Sequence, residues 1–251
     1  MPKKKYTFID LFAGCGGLSE GFLQTEHFSA LAHVEWEKPM VDTLRNRMVS
    51  KWNESESEAR KKVILFDIQK TDELVDGNWS EESISKYGDD NSDVVVKSGL
   101  RGVVGKKNVN LIIGGPPCQA YSIHGRATDK DSMNNDYRNY LFESFCKVVD
   151  AFRPELFVFE NVAGLLSAKP GGIPVRQRIY DAFTSIGYQI RTPEEMPKAL
   201  YDAVHFRVPQ HRPRVIILGV REDSRLNLDD LYNSIEKEQD LNTVLTVRDA
   251  I

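Results

Sequence analysis

The sequence predicts an α/β fold built on a doubly wound, mostly parallel sheet. Three observations predict it. Short apolar runs of strand length recur, as in Leu111-Ile112-Ile113, Leu156-Phe157-Val158-Phe159 and Val215-Ile216-Ile217-Leu218. They are too continuous to alternate between a wet and a dry face, so they read as strands buried on both sides. Segments of helical period separate them, as strand–helix alternation requires. The residues able to do chemistry sit where these runs end, which is where open α/β sheets hold their ligands.

The first run, Phe8-Ile9-Asp10-Leu11-Phe12, breaks into Ala13-Gly14-Cys15-Gly16-Gly17 and then a helical pattern through Leu18 and Phe22. A strand, a tight glycine turn and a helix start can bring backbone N–H groups close to a bound cofactor. The turn lacks the full G-x-G-x-x-G dinucleotide fingerprint, because Ser19 takes the last position. The second run, ending His33-Val34-Glu35-Trp36, supplies an acidic residue of the kind that takes ribose hydroxyls, with an indole beside it. The third, Ile64-Leu65-Phe66, ends in Asp67-Ile68.

The fourth run leads into Gly114-Gly115-Pro116-Pro117-Cys118. Proline fixes its own φ and keeps the preceding residue out of the helical region, so Cys118 is held in a stiff turn beyond a strand end. A core cysteine needs no such mount, whereas a nucleophile does. Cys146, inside the helical run Leu141 to Phe152, reads as a small buried hydrophobe, and the same reading is open for Cys15. The polar stretch 119–136 after the thiol carries Ser122, Arg126 and Lys130 and is expected to be mobile in the free protein. The fifth run ends in Glu160-Asn161-Val162; a helix cap or an ion-pair partner is the plain alternative for Glu160. Val208-Pro209-Gln210-His211-Arg212-Pro213-Arg214 precedes the last run, and alternation places Arg212 and Arg214 on one side.

Four of these motifs, the stretch from Asp10 to Gly17, that from Pro116 to Ser122, Glu160-Asn161-Val162 and Gln210-His211-Arg212-Pro213-Arg214, resemble in this order the cytosine-C5 DNA methyltransferases over residues 6 to about 251. The resemblance implies a Rossmann-like methyltransferase fold and S-adenosylmethionine as methyl donor. It implies double-stranded DNA as substrate, attacked through a flipped-out base, in a restriction-modification system. Cys118 would be the nucleophile, Glu160 the acid at the ring N3, and Arg214 and Arg212 the electrostatic support. The cofactor set would be Asp10, Phe12, Gly14, Gly16, Gly17, Glu35, Trp36, Asp67, Ile68, Pro117 and Leu141, with Trp36 and Leu141 also readable as core. The DNA set would be Gln119, Ser122, Arg126, Lys130, Arg138 and Gln210, with no metal. A tRNA cytosine-C5 methyltransferase and a non-catalytic cofactor-binding regulatory subunit are the alternatives.

The composition fits a single catalytic and cofactor-binding domain over 1–251, in a reducing, cytoplasmic and bacterial setting. The chain has three cysteines, no apolar stretch of membrane length and no signal-peptide pattern. Its net charge of −4 is odd for a protein that must grip DNA alone. No target-recognition domain is legible, so the expectation is either a split enzyme whose second subunit carries recognition, or a truncated chain. Residues 49–62 read as a solvated, charge-rich helix or loop. Residues 70–108 read as an insertion, either a partly mobile surface excursion or, through Lys97, Arg101, Lys106 and Lys107, a contact to the DNA backbone.

Overall fold

The computed structural model describes residues 5–117, 141–243 and 245–250. The chain divides into two compact units: 1–116 with 143–154, and 117–142 with 155–251. The first is built on four strands, β1 (Tyr6–Leu11), β2 (Phe28–Glu35), β3 (Val63–Leu65) and β4 (Leu111–Gly114), in the order β3-β2-β1-β4. Every ladder among them is parallel. Phe8, Ile9, Ile112 and Ile113 are fully buried, as the unbroken apolar runs require of strands covered on both faces.

The crossovers are α1 (Gly17–Gln24), α2 (Lys38–Ser50) and α3 (Glu56–Lys62), with α4 (Thr71–Asp76), α5 (Glu81–Tyr87) and α6 (Asp93–Val104) between β3 and β4. The helix α7 (Leu141–Phe152) matches the helical run read from the sequence. Within 49–62, Ser55 caps α3 by accepting from the Glu58 N–H. Acidic residues open that helix and basic ones close it, in line with its dipole. Trp52 turns inward and stacks on the buried His33 with ring centroids 6.0 Å apart.

The insertion is three ordered helices with a core of its own. Leu74, Val75, Trp79, Tyr87, Val95 and Leu100 are buried. Trp79 stacks on Phe66, the last apolar residue of the β3 run, at 4.2 Å, so the segment is anchored on the sheet. Buried Asn91 completes the anchor. Its Oδ1 accepts from the Leu65 N–H and its Nδ2 donates to the Leu65 carbonyl, so a side chain pairs the outer edge of β3. An unpaired edge invites association with other chains, and this amide closes it. The cations proposed for DNA are only partly available. Arg101 pairs with Asp76 at 2.7 Å and lies over the Phe152 ring, and Lys97 pairs with Asp93 at 3.7 Å.

The second unit contains β5 (Leu156–Val162), β6 (Tyr188–Gln189), β7 (Leu200–Asp202) and β8 (Pro213–Arg221). The central strand β8 runs antiparallel to the other three. The helix α8 (Val175–Ser185) contributes Phe183, whose ring lies 4.2 Å from that of Phe157. The helix α9 (Leu228–Lys237) contributes Tyr232, whose hydroxyl accepts from the Leu218 N–H and donates to the Ile216 carbonyl. Burial pushes the Tyr232 phenol up to about 12, so the hydroxyl keeps its proton for that bond. A short helix, α10 (Val247–Ala250), ends the described chain.

The register of β5 on β8 pairs Phe157 with Gly219, Glu160 with Ile216 and Val162 with Arg214. The Phe157 ring lies across Gly219, where a Cβ would come within 2.0 Å of the ring. Phe157 is held by Phe183 and Tyr188, so it cannot move aside. The Gly219→Ala variant is therefore expected to lose about 1–3 kcal/mol, the usual cost of overpacking a filled core, read as a lower urea midpoint at unchanged m-value.

Candidate active site

The glycine turn follows β1 directly. The Ala13 N–H donates to the Val34 carbonyl and the Gly16 N–H to the Ala13 carbonyl, which folds the chain back to start α1. Gly16 caps that helix with φ 82°, and its missing Cβ leaves room for Leu44, which one would meet at 2.6 Å. Phe12 also has positive φ, 59°, a strained state for a bulky side chain. Such strain persists only where the surroundings enforce it, and it concentrates at functional sites.

Glu35 braces the same turn at Gly14. Its carboxylate is buried, with Oε2 accepting from the Gly14 N–H at 2.8 Å and Oε1 from the N–H groups of Trp36 and Glu37 at 2.8 and 2.9 Å. A carboxylate has about four acceptor positions, so three bonds leave capacity for a ligand hydroxyl. The Trp36 side chain is 46% exposed beside it, which removes the core reading for this residue. Beneath the turn, Ser19 donates to Asp10 Oδ2 at 2.5 Å. Ser19 must therefore accept from His33 Nδ1 at 3.2 Å, which sets that ring's tautomer. Asp10 is thus buried, and what it holds is the start of α1.

Glu20, on α1, ties that helix to the end of α2. Hydrogen bonds from Lys51 first, then Gln24, Trp52 and Arg47, hold its carboxyl down to about 2. Asp67 follows β3 and closes an Asx-turn by accepting from the Gln69 N–H, while Ile68 is buried.

In the second unit, Glu160 sits near the carboxyl end of β5 and Arg214 near the amino end of β8. Antiparallel pairing brings these opposite chain directions to one end of the ladder. Arg214 stands two residue pairs beyond Glu160 on the same face, the diagonal position from which long side chains meet. Arg214 Nε donates to Glu160 Oε1 at 2.8 Å, with both side chains about one-quarter exposed. Arg214 also donates to the Pro213 carbonyl. The neighbouring Asn161 is buried.

Gln210, His211 and Arg212 are exposed in the turn between β7 and β8. Arg212 precedes the strand, so strand alternation does not govern it; Arg214 alone of the two arginines pairs with Glu160. Pro117 is half-buried after β4 and Leu141 is buried at the start of α7. Cys146 is buried, and desolvation pushes its thiol up to about 12, as suits an inert core cysteine. Cys15 departs from the buried reading, because the glycine turn leaves it exposed. Cys118, Gln119, Ser122, Arg126, Lys130 and Arg138 lie outside the described residues.

Sequence reasoning passed over Ser19, Glu20 and Asp202. Asp202 accepts from the Arg212 N–H at 2.7 Å. A signal for it existed in an acidic residue at a strand end, followed by a turn that closes on a proline with no N–H to give. Among the described residues, no helix is long and apolar enough to cross a membrane.

Residues 6–251 match the family model described as C-5 cytosine-specific DNA methylase. The chain is 36% identical over 270 residues to the Type II methyltransferase M.Bpa9945I of Bacillus paralicheniformis, covering 97% of this chain and 59% of that protein. It is 33% identical over 220 residues to the Type II methyltransferase M.DdeI of Desulfomicrobium norvegicum, covering 87% and 41%. The chain thus spans less than two thirds of these relatives' length. Among solved structures, a prophage-encoded E. coli protein assigned as a DNA modification methyltransferase superposes with a TM-score of 0.63 at 22% identity, over 98% of this chain and 54% of that one. The Dnmt2 methyltransferase of S. pombe superposes at 0.56 and 14%, over 99% and 60%. These two likenesses carry the fold, which is that of Rossmann-like methyltransferases. With the motifs, the match over nearly the whole chain means that this protein belongs to the C-5 cytosine-specific DNA methylase family.

Proposed function

We propose that this chain transfers a methyl group from S-adenosylmethionine to C5 of cytosine in double-stranded DNA, as the modification half of a restriction-modification system. The observation that supports it most is the 2.8 Å Glu160–Arg214 pair at one end of the β5–β8 ladder. It sets a hydrogen-bonding carboxyl and a fixed cation side by side, as a pyrimidine needs along its N3 and O2 edge.

The first unit fits the cofactor. Glu35 retains acceptor capacity for ribose hydroxyls while bracing the glycine turn, Trp36 lies half exposed beside it, and the strained Phe12 stands in the same turn. Gly14, Gly16 and Gly17 would admit the ligand close to the backbone, and Asp67 and Ile68 would flank the adenine. Asp10 would act indirectly, through Ser19. Pro117 and Leu141 complete the proposed set. When bound, the cofactor supplies an electrophilic methyl group on a sulfonium.

The Cys118 thiolate adds to C6 of a base turned out of the helix, and Glu160 holds a proton at N3 as the ring takes up the electron pair. Arg214 stabilises the negative charge developing at O2, with Arg212 orienting the base. That addition would make C5 nucleophilic enough to take the methyl group, the cofactor's sulfonium leaving as a neutral thioether with the bonding pair. Loss of the C5 proton to a base drives elimination of the thiolate and restores the aromatic ring. Gln119, Ser122, Arg126, Lys130, Arg138 and Gln210 are the proposed DNA contacts. Recognition of a specific sequence is assigned to a part supplied outside these residues, such as a second polypeptide.

Two measurements test the reading. DNA containing 5-fluorocytosine should be trapped covalently on the protein, because fluorine blocks the last elimination, and Cys118→Ser should abolish the trap while leaving cofactor affinity unchanged. Trapping on Cys118→Ser, or labelled methyl passing to tRNA and not to DNA, would overturn it. Separately, Glu35→Gln should weaken S-adenosylmethionine binding by about tenfold in calorimetry, the scale of losing charge-assisted hydrogen bonds. Unchanged affinity would remove Glu35 from the cofactor set.

A further inference from the structure

The turn that carries Gln210, His211 and Arg212 spans ten residues between β7 and β8, and it is closed at its base by one side chain. The strand β7 pairs Leu200 with Val215, Tyr201 with Arg214 and Asp202 with Pro213. At that last pair the ladder fails on one side, because proline has no N–H to donate. Asp202 takes over. Its Oδ1 accepts from the Arg212 N–H at 2.7 Å and, more weakly, from the Val204 N–H at 3.4 Å. Its Oδ2 lies 3.2 Å from His211 Nδ1. The backbone adds the Ala203 N–H donating to the Arg212 carbonyl at 3.3 Å and the Val208 N–H to the Ala203 carbonyl at 3.3 Å.

The turn is otherwise costly to hold. Arg207 has φ 61°, a left-handed conformation that a non-glycine residue adopts only when its surroundings impose it. The imposing contacts are the Asp240 N–H, which donates to the His205 carbonyl at 2.7 Å, and the Asp240 carboxylate, 3.7 Å from Arg207 Nε. Gln210, His211 and Arg212 are exposed, so no packing of their own fixes them. The hydrogen bonds at the base set where they point.

We infer that Asp202 is a positioning residue: its carboxylate fixes the 203–212 turn, and through the Arg212 amide it sets the approach of Gln210 and Arg212 to substrate and the entry of Arg214 onto β8. This rests on the proposed DNA methyl transfer only for what the turn touches; the bracing itself stands on the hydrogen bonds.

The test compares Asp202→Ala and Asp202→Asn with the unaltered chain. The asparagine keeps a carbonyl oxygen for the Arg212 N–H, whereas the alanine leaves that N–H without its acceptor. In Asp202→Ala, amide exchange across 203–212 should rise by about tenfold or more, the scale of losing a hydrogen bond to a charged acceptor. DNA affinity should fall while S-adenosylmethionine affinity is unchanged. Asp202→Asn should recover most of the protection and of the DNA affinity. Unchanged exchange in Asp202→Ala, or an equal loss in Asp202→Asn, would overturn the inference, as would a loss of protection spread over β5 and β8. If the unaltered protein binds no DNA even in the assembly competent for DNA methylation, the functional reading fails on its own, and the exchange pattern alone decides the role of Asp202.

Discussion

The register of β5 on β8 is the constraint on which the proposed chemistry depends. Side chains along a strand alternate faces, so a slip of one residue would turn Glu160 away from Arg214. The Phe157–Gly219 pair prevents that slip. The ring occupies the space a β-carbon would need, and Phe183 and Tyr188 hold it there. Tyr232 also clamps the β8 backbone, at Ile216 and Leu218. A buried aromatic cluster two and three residue pairs away thus decides whether a carboxyl and a guanidinium meet at 2.8 Å.

The same logic governs the glycine turn of the first unit, with a charged group in place of a ring. Glu35 is buried at the end of β2, and three backbone N–H groups converge on it. Burying a carboxylate is tolerable only when it is hydrogen-bonded in this way. In return it ties the glycine turn to the end of β2 through the Gly14 N–H. In both units the residues read as functional are presented by a polar or aromatic brace one layer behind them. Asp202 repeats the pattern at the base of the arginine turn.

Much of this was legible in the sequence. Unbroken apolar runs mark β4, β5 and β8, and the helical run Leu141 to Phe152 has the bounds of α7. Strand-end positions pointed to Glu35, Glu160 and Arg214 because polar groups after buried strands need a reason to be there. What periodicity does not encode is pairing direction. A lone strand carries no mark of being antiparallel, so the meeting of Glu160 with Arg214 followed only from the ladder. The anchoring of the insertion is hidden for a related reason. Its charged residues are evident from composition, but the residues that hold it, Trp79 against Phe66 and Asn91 against Leu65, act through contacts distant in sequence. Cys15 was open to a buried reading because small residues around a thiol suggest a core, yet a glycine turn on a strand end leaves it exposed.

The claim that Glu160 and Arg214 act on the base as one unit is tested most directly by a double-mutant cycle on kcat/KM for methyl transfer, in the assembly competent for DNA methylation. The two single variants are Glu160→Gln and Arg214→Met. Groups that act as a unit are strongly non-additive, so the double variant should lose little more than the worse single variant, with a coupling of about 0.5–3 kcal/mol. Losses that simply multiply, with cofactor affinity unchanged throughout, would contradict it and leave the 2.8 Å contact as a structural ion pair.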